Sequence, residues 1–91
     1  MMRPNIGIGT YLKADYPEIR SISEDKDSMD MTWKEWKANK RRLVKKLESQ
    51  GFKTVDVIVK PKELFNYCRI HQLKINGESR SQFARYKMDL I

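Results

Sequence analysis

The chain has few of the residues that build metal centres and disulfides. Its 91 positions include one cysteine, Cys68, and one histidine, His71. A single cysteine cannot form an intramolecular disulfide, and the two residues together cannot supply the four ligands of a structural zinc site. We therefore expect no disulfide, no metal and no other cofactor. A chain without disulfides is typical of a reducing compartment, so the sequence predicts a cytoplasmic protein.

Long apolar runs are also missing. No stretch approaches the roughly 20 apolar residues that a membrane-spanning helix needs, so we expect no membrane contact. The first twelve residues carry one positive charge and an apolar run broken by glycine and threonine, which is not the pattern of a secretory signal peptide. With 40% hydrophobic and 34% charged residues, the composition predicts one globular domain over residues 1–91.

Two segments have the pattern of β-strands. Residues 53–60 form an almost continuous run of valine and isoleucine, which is typical of a strand covered on both faces. Residues 5–12 alternate branched side chains with Gly7 and Gly9, so one face of this strand is nearly bare and permits close approach of a packed helix. A helical crossover between two strands favours a parallel pair.

Helix caps and apolar spacing predict the other elements. Helices are expected over residues 15–22, 32–50 and 61–72 and from Ser79 to the C-terminus, with a mobile acidic loop at about 23–31. The predicted fold is therefore a single small α/β domain in which three to four helices pack on a two-stranded parallel sheet. A sheet of two strands has two open edges, so we also expect a homodimer formed by strand pairing or by exposed helix faces.

The predicted helix over residues 32–50 concentrates the positive charge. Residues 1–31 have a net charge of −2, residues 32–62 of +7 and residues 63–91 of +2, against +7 for the whole chain. At 100° per residue, an apolar stripe lies on one side of this helix and cations cover most of the rest. The stripe consists of Trp33, Trp36, Leu43, Val44 and Leu47, and the cations are Lys34, Lys37, Arg41, Arg42, Lys45 and Lys46.

The six cations have three interpretations. The simplest is the solvated side of a helix whose stripe packs on the core. The second is a surface that binds nucleic-acid phosphates, which needs only a row of cations. The third is contact with an acidic protein surface. The sequence contains no helix-turn-helix, zinc-finger or ribonucleoprotein signature that would indicate sequence-specific reading.

Three residues of the stripe are candidate partner contacts. Lys40 falls in the middle of the stripe, where its ammonium must reach solvent, pair with a carboxylate such as that of Asp56, or face a ligand. Trp33 and Trp36 are most simply core residues, but an exposed tryptophan at the start of a helix would be an anchor for a partner.

A catalytic site is not indicated. Cys68 and His71 are three residues apart on a predicted helix and could meet as nucleophile and base, but Cys68 shares its face with Leu64 and has no visible third partner, so we expect a core cysteine. The sequence thus favours a non-enzymatic binding module that contacts nucleic-acid phosphates. The alternatives are a protein-interaction module or small inhibitor that acts as a homodimer and, less favoured, an enzyme built on Cys68 and His71.

Overall fold

A computed structural model describes residues 5–90 of the chain. Residues 1–4, at the start of the segment that lacks a signal-peptide pattern, and residue 91, at the end of the expected domain 1–91, lie outside the described residues. Two strands and four α-helices follow one another along the chain. They are β1 (Asn5–Thr10), α1 (Tyr16–Ile22), α2 (Trp33–Ser49), β2 (Lys53–Ile58), α3 (Pro61–Ile70) and α4 (Gly77–Asp89). The prediction of an α/β domain with a two-stranded parallel sheet and helical packing is confirmed.

The parallel sheet has a register in which Gly7 lies beside Val55 and Gly9 beside Val57. Neighbouring residues in this register share a face of the sheet, so the two glycines and the valines form one face. Helix α4 packs closely here: a Cβ atom placed on Gly7 would lie 2.8 Å from the Met88 sulfur, and one on Gly9 would lie 3.6 Å from the Ala84 Cβ. The expected close approach of a helix to the glycine face is thus observed, and α4 is that helix.

Helix α2 packs on the opposite face of the sheet. Ile8 and Asp56 are register partners on this side, and Asp56 contacts Lys40 of α2. The core lies on the other side, where α1, α3 and α4 meet the valines of β2. Its buried members include Tyr16, Ile19, Val57, Val59, Leu64, Tyr67, Cys68, Phe83 and Ala84. Because Asp56 is exposed, β2 is covered fully on one face only, and the prediction of a strand buried on both faces is wrong.

Several predictions about the elements are corrected. β1, β2 and α3 each end two residues earlier than predicted, at Thr10, Ile58 and Ile70. Helix α4 begins at Gly77, two residues before the expected Ser79 start, because Asn76 is its N-cap: the Asn76 side chain accepts from the Ser79 amide, and the Ser79 hydroxyl accepts from the Asn76 amide. The acidic segment 23–31 is more than a loop, since it contains a 3₁₀ turn over Lys26–Ser28 and is held to α4 by Asp25. A side chain that binds a distant helix has no local signal in the sequence.

Within the described range, none of the helices has the length and apolar character needed to span a bilayer. The same residues contain no group of three or more His, Cys, Asp or Glu side chains that could hold a metal ion.

Candidate functional site

Helix α2 carries most of the candidate residues and has a defined start and end. The Thr32 hydroxyl accepts a hydrogen bond from the Glu35 amide at 3.1 Å and lies 3.1 Å from the Glu35 carboxylate. This is half of a capping box, because the carboxylate meets the hydroxyl rather than the Thr32 amide. The helix ends before Gly51, whose φ of 88° is the left-handed conformation common in the residue that follows a helix.

The two tryptophans fix α2 to the end of β1. The Trp33 indole N–H donates to the Tyr11 carbonyl at 2.8 Å. The Trp36 ring lies 5.0 Å from the Tyr11 ring and 6.1 Å from the Tyr16 ring, in tilted aromatic contacts. Both tryptophans are half-buried against the core cluster. They therefore position α2, and each residue remains partly accessible.

The apolar stripe of α2 is only partly covered. No residue of this helix is fully buried, and Leu43 is 46% exposed. Two strands lie only about 4.8 Å apart, whereas a helix with its side chains is about 10 Å wide. The sheet is therefore too narrow to cover the stripe, and the expectation of a core-facing side is wrong at Leu43. The exposed margin faces the outer edge of β1.

Lys40 forms an ion pair. Its ammonium lies 2.8 Å from the Asp56 carboxylate and 5.7 Å from the centre of the Trp36 ring, and its side chain is 16% exposed. Of the three arrangements that the sequence allows for Lys40, pairing with Asp56 is the one observed, rather than simple extension to solvent. The Asp56 carboxylate thus compensates the Lys40 charge, which would otherwise lie unpaired among apolar side chains.

The six other cations of α2 are all exposed, and none has a carboxylate within 4.0 Å among the residues that the structure describes. Lys37 lies 4.9 Å from the centre of the Trp33 ring, and Arg42 donates to the Asn39 side chain at 2.6 Å. Neither contact neutralises charge. The surface formed by Lys34, Lys37, Arg41, Arg42, Lys45 and Lys46, here the α2 basic face, is therefore uncompensated locally.

The α2 basic face divides into two parts. At 100° per residue, four of the cations fall within about 80° of arc, on the solvent side and toward β2; these are Lys34, Lys37, Arg41 and Lys45. Arg42 and Lys46 lie further round, next to Asn39 and Leu43, toward the outer edge of β1. A single straight polyanion strand can therefore meet four of the cations together, but not all six.

A cleft of about 360 Å³ follows the outer edge of β1 between α2 and α4. Trp36, Asn39, Lys40 and Leu43 form the wall on α2, and Gly77, Arg80 and Ser81 form the wall on α4, with Gly7, Ile8, Gly9 and Tyr11 between them. This cleft was not predicted from the sequence, since it depends on how the two helices straddle the sheet.

Arg80 is the most organised side chain of the cleft. Its guanidinium donates to both Asp25 oxygens, at 2.7 and 3.0 Å, and to the Ser23 hydroxyl at 3.0 Å. The Asp25 carboxylate also accepts from the Gly77 amide at 3.0 Å. The Arg80 hydrogen bond holds the pKa of Asp25 below its usual value, and burial raises the pKa of the nearby Tyr11 hydroxyl. The N-terminus of α4 is thus already occupied by an anion, which is the carboxylate of Asp25.

The expected core position of Cys68 is confirmed, since its side chain is 1% exposed. His71 lies at the exposed end of α3, where its ring packs 4.4 Å from the Tyr67 ring. The structure thus places the thiol in the core and the imidazole at the surface, and does not bring them together as nucleophile and base.

Comparison of the chain with protein-family models, with curated proteins and with solved structures gives no match.

Proposed function

We propose that the protein is a non-enzymatic module that binds nucleic acid through the phosphate backbone. The observation that carries the proposal is the α2 basic face: six exposed cations on one helix with no carboxylate within 4.0 Å among residues 5–90. Five ion pairs occur among the same residues, one of them at Lys40 on α2 itself, so the chain does pair its charges where carboxylates are near. An unpaired positive surface attracts a polyanion without any further specific contact.

The spacing of the cations suits a phosphate strand. Lys34, Lys37, Arg41 and Lys45 follow one another at intervals of three or four residues, and the first and last are about 16 Å apart along the helix axis at 1.5 Å per residue. A row of this kind can meet successive phosphates of one strand. Contacts to phosphates position a protein but do not read bases, so the proposed binding is independent of sequence.

A charge-reversed variant tests the proposal. We expect that replacing Lys34, Arg41 and Lys45 by Glu abolishes retention of a 30-base DNA or RNA strand at low salt, where non-specific affinity is highest. The fold should persist, because all three side chains are exposed.

A matched variant controls for net charge. Replacing Lys13, Lys62 and Arg69 by Glu changes the formal charge by the same amount at exposed positions outside α2. We expect this variant to keep more than half of the binding free energy. Equal losses in the two variants, or wild-type protein that does not bind at low salt, would contradict a nucleic-acid site on α2.

A further inference from the structure

The outer edge of β1 presents unpaired backbone groups. In a parallel pair, residues alternate between those that bond to the neighbouring strand and those that point away. The Val59 amide donates to the Thr10 carbonyl, so Ile6, Ile8 and Thr10 bond to β2. Gly7 and Gly9 therefore point their N–H and C=O groups away from β2, and no other strand pairs with them within residues 5–90.

Two contacts elsewhere agree with this alternation. The Tyr11 carbonyl, on the same outer edge, accepts from the Trp33 indole. The Ile58 carbonyl, on the outer edge of β2, accepts from the Lys87 ammonium at 2.7 Å. Side chains thus cover an outward carbonyl at the end of each strand. The stretch at Gly7 and Gly9 instead opens into the cleft between α2 and α4.

The cleft has the size and lining for an extended chain. From Gly7 to Tyr11 the edge is about 13 Å long at 3.3 Å per residue, which matches about four residues of an added strand. Its volume of about 360 Å³ suits a few residues of chain. Trp36 and the half-exposed Leu43 offer apolar contact on the α2 side.

The charge around the cleft selects the occupant. Arg42 and Lys46 lie next to the α2 wall on the helix, and Arg42 donates to the wall residue Asn39 at 2.6 Å. Neither has a carboxylate within 4.0 Å among the described residues. We propose that the β1 edge binds an extended acidic segment of a partner protein, which adds a third strand to the sheet. Backbone bonds to Gly7 and Gly9 would supply affinity, and the flanking cations would select acidic side chains. This inference does not rest on nucleic-acid binding by α2.

A second copy of the chain fits the cleft less well. The strand that a copy would insert is Asn5–Thr10, which contains no carboxylate to meet the flanking cations. Each copy also carries a formal charge of +7, which opposes association. The same edge that suggests strand pairing thus favours an acidic partner over the homodimer expected from the sequence.

The experiment uses a defined peptide and a matched pair of variants. The probe is a fluorescein-labelled heptapeptide of alternating aspartate and valine, and binding is followed by fluorescence anisotropy. Gly9→Pro removes the outward N–H and fills its place with the proline ring, which an edge strand tolerates. Gly9→Ala keeps the N–H and adds a Cβ at ordinary contact distance, 3.6 Å, from Ala84 and Val59.

We expect the affinity of Gly9→Ala for the peptide to be within about twofold of that of the wild type. Gly9→Pro should bind the peptide at least about tenfold more weakly, because it loses an edge hydrogen bond and its ring blocks the added strand. Replacing Arg42 and Lys46 by Gln should weaken binding of the aspartate peptide but should not weaken binding of a serine–valine peptide of the same length. If Gly9→Pro does not fold, peptides with N-methyl groups on alternate residues replace it, and one of the two methylation patterns should bind at least about tenfold more weakly.

Three results would overturn the proposal. The first is absence of binding to the aspartate peptide, and the second is equal binding of a lysine–valine peptide. The third is a wild-type dimer, seen by sedimentation without peptide, that Gly9→Pro converts to a monomer, since the edge would then be occupied by a second copy.

Discussion

The ion pair between Arg80 and Asp25 is the best shielded that the described residues form, and its removal has a calculable effect. The two side chains are 11% and 29% exposed and share two hydrogen bonds. Each hydrogen bond to a charged group contributes about 1.5–3 kcal/mol to the free energy of unfolding, and breaking a fully buried ion pair lowers it by about 3–5 kcal/mol. Because Asp25 is partly solvated, we expect Arg80→Met to lower the free energy of unfolding by about 3 kcal/mol.

That loss is large for a chain of this size, whose free energy of unfolding should be about 5–14 kcal/mol. The assay is urea unfolding followed by tryptophan fluorescence, on wild type, Arg80→Met, Asp25→Asn and the double variant. We expect a coupling energy of about 2 kcal/mol in this cycle. A coupling energy below about 0.5 kcal/mol would show that the pair behaves as an exposed one and would refute the reasoning.

The pH dependence of the same pair has a definite sign. The pKa of Asp25 is lower in the folded protein than in the unfolded chain, where it is about 3.9, because Arg80 donates to its carboxylate. Between the two pKa values the unfolded chain binds more protons, so the contribution to stability is complete above about pH 5 and is lost as the pH falls through the folded pKa. The difference in stability between wild type and Asp25→Asn should therefore be constant near neutral pH and shrink below about pH 4.

Two further predictions concern other parts of the molecule. Cys68 should react slowly with a thiol reagent in the native protein and rapidly after unfolding, and Cys68→Ala should cost about 1 kcal/mol of unfolding free energy. Rapid labelling of the native protein would contradict its burial. Lys40→Met should change the unfolding free energy by less than about 1 kcal/mol. Asp56 is 58% exposed and can be hydrated, while the methionine keeps the contact with Trp36. A loss above about 3 kcal/mol in urea unfolding would contradict this and show that the ion pair is structural.

The elements of the fold follow from local sequence signals. The Thr32 cap and the left-handed Gly51 bound α2, and the valine-rich run after Gly51 gives β2. The start of α4 was misplaced because Ser79 has the pattern of a cap but is the third residue of the helix, paired with the Asn76 cap. Asn76 and Ser79 are three residues apart and can both cap, so local spacing does not distinguish them.

The candidate site was predicted only in part. The cations of α2 could be identified because charge and helical period are local properties. The pairing of Asp25 with Arg80 could not, since 55 residues separate them. The cleft and the exposure of Leu43 arise because the narrow sheet leaves one margin of α2 uncovered. No local pattern of residues predicts this. The sequence shows an arginine near the predicted start of α4 and an acidic segment elsewhere. Many other pairings of charged residues would be equally consistent with these two features.

The salt dependence of binding tests the central claim, that α2 binds phosphates, most directly. If Lys34, Lys37, Arg41 and Lys45 each contact a phosphate of duplex DNA, the slope of log K against log salt concentration should be about −3.6, which is a loss of about 150-fold in affinity between 50 and 200 mM salt. Replacing Lys34, Arg41 and Lys45 by Gln should leave one contact and reduce the slope to about −0.9. A wild-type slope near zero, or a slope that this variant leaves unchanged, would contradict the account.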